Sequence, residues 1–190
     1  MYISIDYVFD GQGNMPWQPD CEDYASLNVN GQTKLEGEQA VRELVEKFFV
    51  VRIAWVFGLS GNNFINTMLR LGQSHTTLRV VNDQVGTLTY MLDLARLLAD
   101  MIKTEKYGIY HATNEGGYIS WYDFACEIFR QVNLPVTVQP PVTTAEYGQS
   151  AAVRPFNSRL DKTKLRTGGF VLLPDWRDAL ERYLLEIQRK

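Results

Sequence analysis

The stretch Phe49-Val50-Val51-Arg52-Ile53-Ala54-Trp55-Val56-Phe57 restricts what this chain can become more than any other. A run so nearly free of polar side chains fits a strand covered on both faces, and such strands belong to parallel sheets with helices packed on either side. A helical pattern precedes it from about Asn30, with Leu35, Val41, Leu44, Val45 and Phe48 on one stripe, and Gly58 follows it. Helix, strand and glycine in that order are the rhythm of a βαβ unit, so the sequence predicts an α/β fold. Arg52 interrupts the run, which is also too short for a membrane span of roughly 20 apolar residues.

The rest of the chain extends the pattern. Residues 1–9 are rich in β-branched and aromatic types and stop at Asp10-Gly11, a strand running into a turn, so the chain begins inside a strand, which is unusual for a complete α/β domain. Lys34 with Glu38 and Glu38 with Arg42 are four-apart charge pairs, expected on the outer face of the first helix. Further helices are predicted over Asn63–Gln73 and Tyr90–Thr104, with strands over Leu78–Asn82 and Gly108–Ala112. Ser120 and Asp123 have the spacing of a capping box opening a helix that buries Trp121, Phe124, Ala125, Ile128 and Phe129. Val136–Gln139 runs extended into Pro140-Pro141, Arg154–Ser158 reads as a loop, Asp161–Arg166 as a short helix, and Asp175–Gln188 as the last helix.

Several functions find no support in these residues. A net charge of -3 and a pI near 5.4 offer no basic stripe to a nucleic acid and no attraction to an anionic membrane. Cys21 and Cys126 lack any paired spacing and read as reduced thiols of a cytoplasmic protein. His75 and His111 sit on separate segments with no partner at ligand spacing, so no metal site is expected. None of the 14 glycines falls into G-x-G-x-x-G or G-x-x-G-x-x-G, and there is no G-x-S-x-G nucleophile elbow.

One spacing does point to chemistry. Lys34 follows Asn30 by four residues, which places both on one face of a helix, able to reach one bound substrate. The segments Tyr2–Gly11, Leu27–Glu38, Arg52–Gly58, Val80–Gly86 and Arg154–Ser158 together resemble the dTDP-4-dehydrorhamnose reductase family, within the extended short-chain dehydrogenase/reductases, in order and spacing along essentially the whole chain.

The resemblance implies a Rossmann-like parallel sheet, here partial with its N-terminal strands missing, and a smaller C-terminal substrate-binding subdomain. Residues 1–115 would be the later part of the NAD(P)-binding domain, interleaved with substrate-binding segments, and 116–190 mainly the subdomain. It implies reduction of the 4-keto group of dTDP-4-dehydro-L-rhamnose by NADPH or NADH in polysaccharide biosynthesis. The Gly-rich turn lies outside these residues, so cofactor binding by this chain alone is not expected. Of the family's Thr, Tyr and Lys set, Ile5 and Asn30 occupy the first two positions and only Lys34 is kept, for catalysis and for the cofactor's ribose. Ser26, Leu88 and Met91 also depart from the family. On the substrate side the resemblance carries over Asp6, Tyr7, Trp55, Asn63 and Arg154. The expectation is a truncated, catalytically impaired reductase that takes a dTDP-sugar, with a homodimer or association with a complete reductase left open. The alternative is a non-catalytic nucleotide-sugar-binding or regulatory partner of such an enzyme.

Overall fold

The computed structural model describes residues 1–148 and 153–189. The chain runs β1 (Tyr2–Ile5), a 3-10 turn (Asp6–Val8), α1 (Val29–Leu44), β2 (Phe49–Ile53), β3 (Val56–Phe57), α2 (Phe64–Gly72), β4 (Thr77–Leu78), β5 (Val85–Gly86), β6 (Thr89–Tyr90) and α3 (Met91–Met101). It continues through β7 (Gly108–His111), β8 (Asn114–Glu115), β9 (Ile119–Ser120), α4 (Trp121–Gln131), β10 (Thr137–Val138), α5 (Thr144–Tyr147), β11 (Asn157–Ser158), α6 (Thr163–Thr167), β12 (Leu173–Asp175) and α7 (Trp176–Gln188).

The centre is a three-stranded parallel sheet in the order β1-β2-β7, with Ser4 opposite Arg52 and Arg52 opposite His111. The β1 to β2 connection contains α1 and the β2 to β7 connection contains α3, the helical crossovers that parallel strands require. Every residue of β2 is buried. One sheet face packs Phe49, Val51 and Ile53 against Leu94, Leu97 and Met101 of α3. A larger core joins α2, α4 and α7 through Ile65, Met68, Phe124, Ile128, Leu180 and Tyr183. Helix α4 opens on the expected capping box, with Ser120 and Asp123 each bonding the other's backbone N–H.

Several expectations need correction. The first strand stops at Ile5, because Asp6–Val8 curls into a 3-10 turn. The apolar run does not continue to Phe57 as one strand: Trp55 adopts a φ of 46°, a left-handed conformation that ends β2 and redirects the chain into β3. Leu78–Asn82 pairs only at its start, in β4, and at an isolated bridge from Val81 to Val142. Asn157 and Ser158 form a short strand beside β5 rather than lying in the loop. The stripe on α1 is also shorter than predicted: Leu35 is buried, whereas Leu44 is 80% and Val45 44% exposed. Only the first half of α1 lies on the body, where Gly31 meets the Tyr7 carbonyl and Gly37 the Tyr2 ring with no room for a Cβ.

Glu38 is the clearest reversal. It lies inside rather than on the outer face, with 1% of its side chain exposed, and meets a fully buried Arg52 through two bonds of 2.9 and 2.6 Å. Arg42, its expected partner, pairs with Glu22 at 2.7 Å instead. Arg52 also donates to the Pro19 carbonyl at 3.0 Å and the Tyr24 hydroxyl at 3.0 Å, and its guanidinium lies over the Phe9 ring. Burial acts to lower the Arg52 pKa, and the Glu38 carboxylate outweighs it, so the net shift is upward.

Removing one member of such a pair leaves an uncompensated charge in the interior. Glu38→Ala is therefore expected to lower the unfolding free energy by about 3–5 kcal/mol, and the Glu38→Leu/Arg52→Met double variant to recover most of that loss. Urea unfolding followed by circular dichroism measures both. A single variant as stable as the parent would show that Glu38 does not hold Arg52.

Candidate functional site

The β1 to 3-10 junction, the start of α1 and the bend after β2 converge on one small cavity of about 260 Å³. Its wall includes Ile5, Asp6, Tyr7, Asn30 and Trp55, five of the eight residues singled out from the sequence. Local chemistry sets each in place. Asn28 caps α1 by accepting the Gly31 N–H at 3.0 Å, which starts the helix so that Asn30 stands exposed at the cavity. Trp55 is held by its left-handed backbone, a strain worth about 1–3 kcal/mol for a non-glycine residue. Its ring fits because residue 86 is glycine: a Cβ there would stand 2.9 Å from Trp55 Cε2.

Asn63 and Arg154 line a second, larger cavity of about 510 Å³, together with Arg79, Gln84 and Thr144. The Asn63 side chain is already engaged: Oδ1 accepts the Asn66 N–H at 3.0 Å as the cap of α2, and Nδ2 donates to the Gly58 carbonyl at 3.1 Å and the Tyr183 hydroxyl at 2.9 Å. Arg154 is exposed and lies close enough to Tyr7 to oppose the rise in the Tyr7 pKa that burial and Asp6 produce. It therefore links the larger cavity to the smaller one. Lys34 lines neither cavity. Its Nζ donates to the Ile3 carbonyl at 2.9 Å and lies 5.2 Å from the centre of the Tyr2 ring.

Asp6 is buried, and its Oδ2 has no hydrogen-bond partner among the described residues. Loss of solvent raises its pKa to about 7; the nearby Ser158 hydroxyl pulls the other way, yet Ser158 Oγ is likewise without a bond in this arrangement. His111 is also fully buried, with Nδ1 3.1 Å from the Asp161 carbonyl, and burial followed by the Arg52 charge holds its pKa well below the usual imidazole range.

Sequence reasoning missed the two rings that close the cleft. Trp121 stacks on Trp55 at 3.7 Å with 11° between the planes, and Phe64 sits 4.5 Å from Trp121. Both line both cavities. Its spacing to Ala125 and Ile128 predicts a core position for Trp121, and the same spacing holds whether the ring is inside the core or at its margin.

For a dinucleotide, the described residues offer a poor fit. No helix among them follows a G-x-G-x-x-G turn of the kind that brings backbone N–H groups to a pyrophosphate, and Lys34 donates to the Ile3 carbonyl and lines neither cavity. No group of three or more His, Cys, Asp or Glu side chains could hold a metal ion among the described residues, and no helix of these residues is long and apolar enough to cross a membrane. Cys21 and Cys126 are free thiols.

The model of the RmlD substrate binding domain matches residues 1–189. The chain is 39% identical to the dTDP-4-dehydrorhamnose reductase of Escherichia coli (strain K12), over 98% of its own length and 65% of that protein's. It is 37% identical to the spore coat polysaccharide biosynthesis protein SpsK of Bacillus subtilis (strain 168), over 98% of its own length and 64% of the relative. Among solved structures, the dTDP-4-dehydrorhamnose reductase from Bacillus anthracis in complex with NADP superposes with a TM-score of 0.89 at 43% identity, covering 97% of this chain and 64% of that one. The Clostridium acetobutylicum reductase gives 0.91 at 42% identity, covering 98% and 65%. The chain thus spans just under two thirds of the length of these relatives. It shares with the reductase structures an α/β fold with parallel sheets.

Asp6 should make stability depend on pH. Its pKa is higher in the fold than in the open chain, so the fold binds the proton more tightly. Stability is then greatest near pH 4, falls as pH rises towards 7, and stays low above it. Asp6→Asn is expected to abolish that fall and to be more stable than the parent above pH 7, by roughly 4 kcal/mol at most. Denaturant unfolding from pH 4 to 8 measures it; parallel pH profiles for parent and variant would refute the buried acid.

Proposed function

The chain belongs to the RmlD substrate binding domain family, and on that premise we propose that it binds a dTDP-linked hexose as the substrate side of a dTDP-4-dehydrorhamnose reductase, with its proton-transfer step impaired. The observation that carries this reading is the convergence of Ile5, Asp6, Tyr7, Asn30 and Trp55 on one cavity, with Arg154 within electrostatic reach of Tyr7. A guanidinium suits a diphosphate, and flat rings suit the faces of a base or sugar. The division into 1–115, as part of a Rossmann-type sheet, and 116–190, as mainly a substrate subdomain, belongs to the same proposal, as does a cytoplasmic location.

Reducing a ketone adds a hydride to carbon and a proton to oxygen. NADPH or NADH would supply the hydride, and these residues build no cradle for either. What the chain itself offers is limited at the proton. The Asn30 amide can donate a hydrogen bond to a carbonyl oxygen but cannot release a proton near neutral pH, and Ile5 offers no polar atom. Losing a positioned general acid typically costs about 10² to 10⁴ in rate.

A second reading has its own support. With Lys34 bonded to Ile3 rather than turned to the cavity, the chain fits a nucleotide-sugar-binding partner of a complete reductase or of a second copy, without catalysis of its own.

Calorimetry with dTDP-rhamnose tests the shared premise, and no heat at millimolar ligand would end both readings. Arg154→Ala is expected to weaken binding about tenfold or more. NADPH oxidation with the keto-sugar nucleotide is expected to run at least about 10²-fold below that of an intact relative; equal turnover would refute the impairment.

A further inference from the structure

The two cavities meet at a partition made of Phe64 and Trp121, which line both. On one side stand Asp6, Tyr7 and Asn30; on the other, Arg79 and Arg154. The backbone of the partition is fixed. Trp121 opens α4 directly after the Ser120 cap, the Tyr122 N–H donates to the Val81 carbonyl at 3.0 Å, and Ile119-Ser120 pairs with Val85-Gly86. The Trp121 ring stacks on Trp55 at 3.7 Å and meets the Phe64 ring, tilted by 40°, at 4.5 Å.

Even so, the two indoles keep free polar capacity. Trp17 donates its indole N–H to the Asn157 carbonyl and Trp176 to that of Gly116, whereas neither Trp55 nor Trp121 has such a bond among the described residues, and both rings are only half-buried. Trp55 is wedged against the bare backbone of Gly86 by its left-handed conformation. Trp121, the first residue of α4, carries no such left-handed backbone constraint.

We propose that Trp121 positions the sugar ring of a nucleotide sugar, the Trp55–Trp121 stack opening as the ligand joins the two cavities. The inference rests on the function proposed above. A ligand whose diphosphate meets Arg79 and Arg154, and whose far oxygens reach Asp6, Tyr7 and Asn30, places the hexose between them, at the partition. The C–H face of a pyranose packs on an indole, and the free indole N–H can donate to a ring hydroxyl.

Calorimetry with dTDP-rhamnose and with dTDP, on the parent, Trp121→Ala and Trp121→Phe, tests this, alongside the circular-dichroism exciton signal of the stacked indoles. Trp121→Ala is expected to lose about tenfold in affinity for dTDP-rhamnose and less than about twofold for dTDP, with Trp121→Phe recovering most of the loss. Saturating dTDP-rhamnose, but not dTDP, should remove the exciton signal of the parent. Equal losses for the two ligands, or an exciton signal that dTDP-rhamnose leaves intact, would overturn the role of Trp121. Binding by the parent that Trp121→Ala keeps would overturn this inference alone, whereas a parent that binds neither ligand would overturn the proposed function with it.

Discussion

The buried contact between Arg52 and Glu38 is the constraint on which the rest of this structure depends. Arg52 stands in the middle of the central strand, where a charge without a partner would be costly, and Glu38 reaches it from α1 through two hydrogen bonds. Two further guanidinium donors go to Pro19 and Tyr24, so the pair also anchors the polar loop that leads into α1. This contact ties helix, loop and sheet together at one depth and one rotation. Asn30, two turns before Glu38 on the same helix, is thereby fixed at the mouth of the small cavity.

The same rotation explains where Lys34 goes. With Glu38 turned inward and Gly31 and Gly37 pressed on Tyr7 and Tyr2, the first half of α1 lies against β1, and the Lys34 ammonium meets the Ile3 carbonyl. A lysine that sits one turn from a tyrosine can lower the phenol's pKa; beside an asparagine it has no such proton to influence. Bonding to the edge of β1 is a use of the ammonium that remains when the phenol is absent.

The cleft itself depends on strain and stacking. Trp55 could not leave the strand and face the cavity without its left-handed backbone, nor could its ring be seated without Gly86. Trp121 and Phe64 then complete an aromatic wall between a side where Asp6, Tyr7 and Asn30 stand and a side carrying two arginines. The short β5 and β9 strands support both rings at once, since Gly86 lies under Trp55 while Ser120 caps the helix that begins with Trp121.

Much of this was legible in the residues. The apolar run around Arg52 determined a covered parallel strand, the capping signals at Ser120 determined where α4 begins, and the segments shared with the reductase family pointed to Ile5, Asp6, Tyr7, Asn30 and Trp55, which share one cavity. These features are local or periodic, so they survive in a linear string. Tertiary structure alone decided that Glu38 faces inward, that Lys34 donates to Ile3, that Asn63 is consumed as a cap, and that Trp121 stands at the cleft on the margin of the core. Each of those outcomes turns on which distant group arrives opposite a side chain, because helical spacing fixes which residues share a face but not what that face will meet.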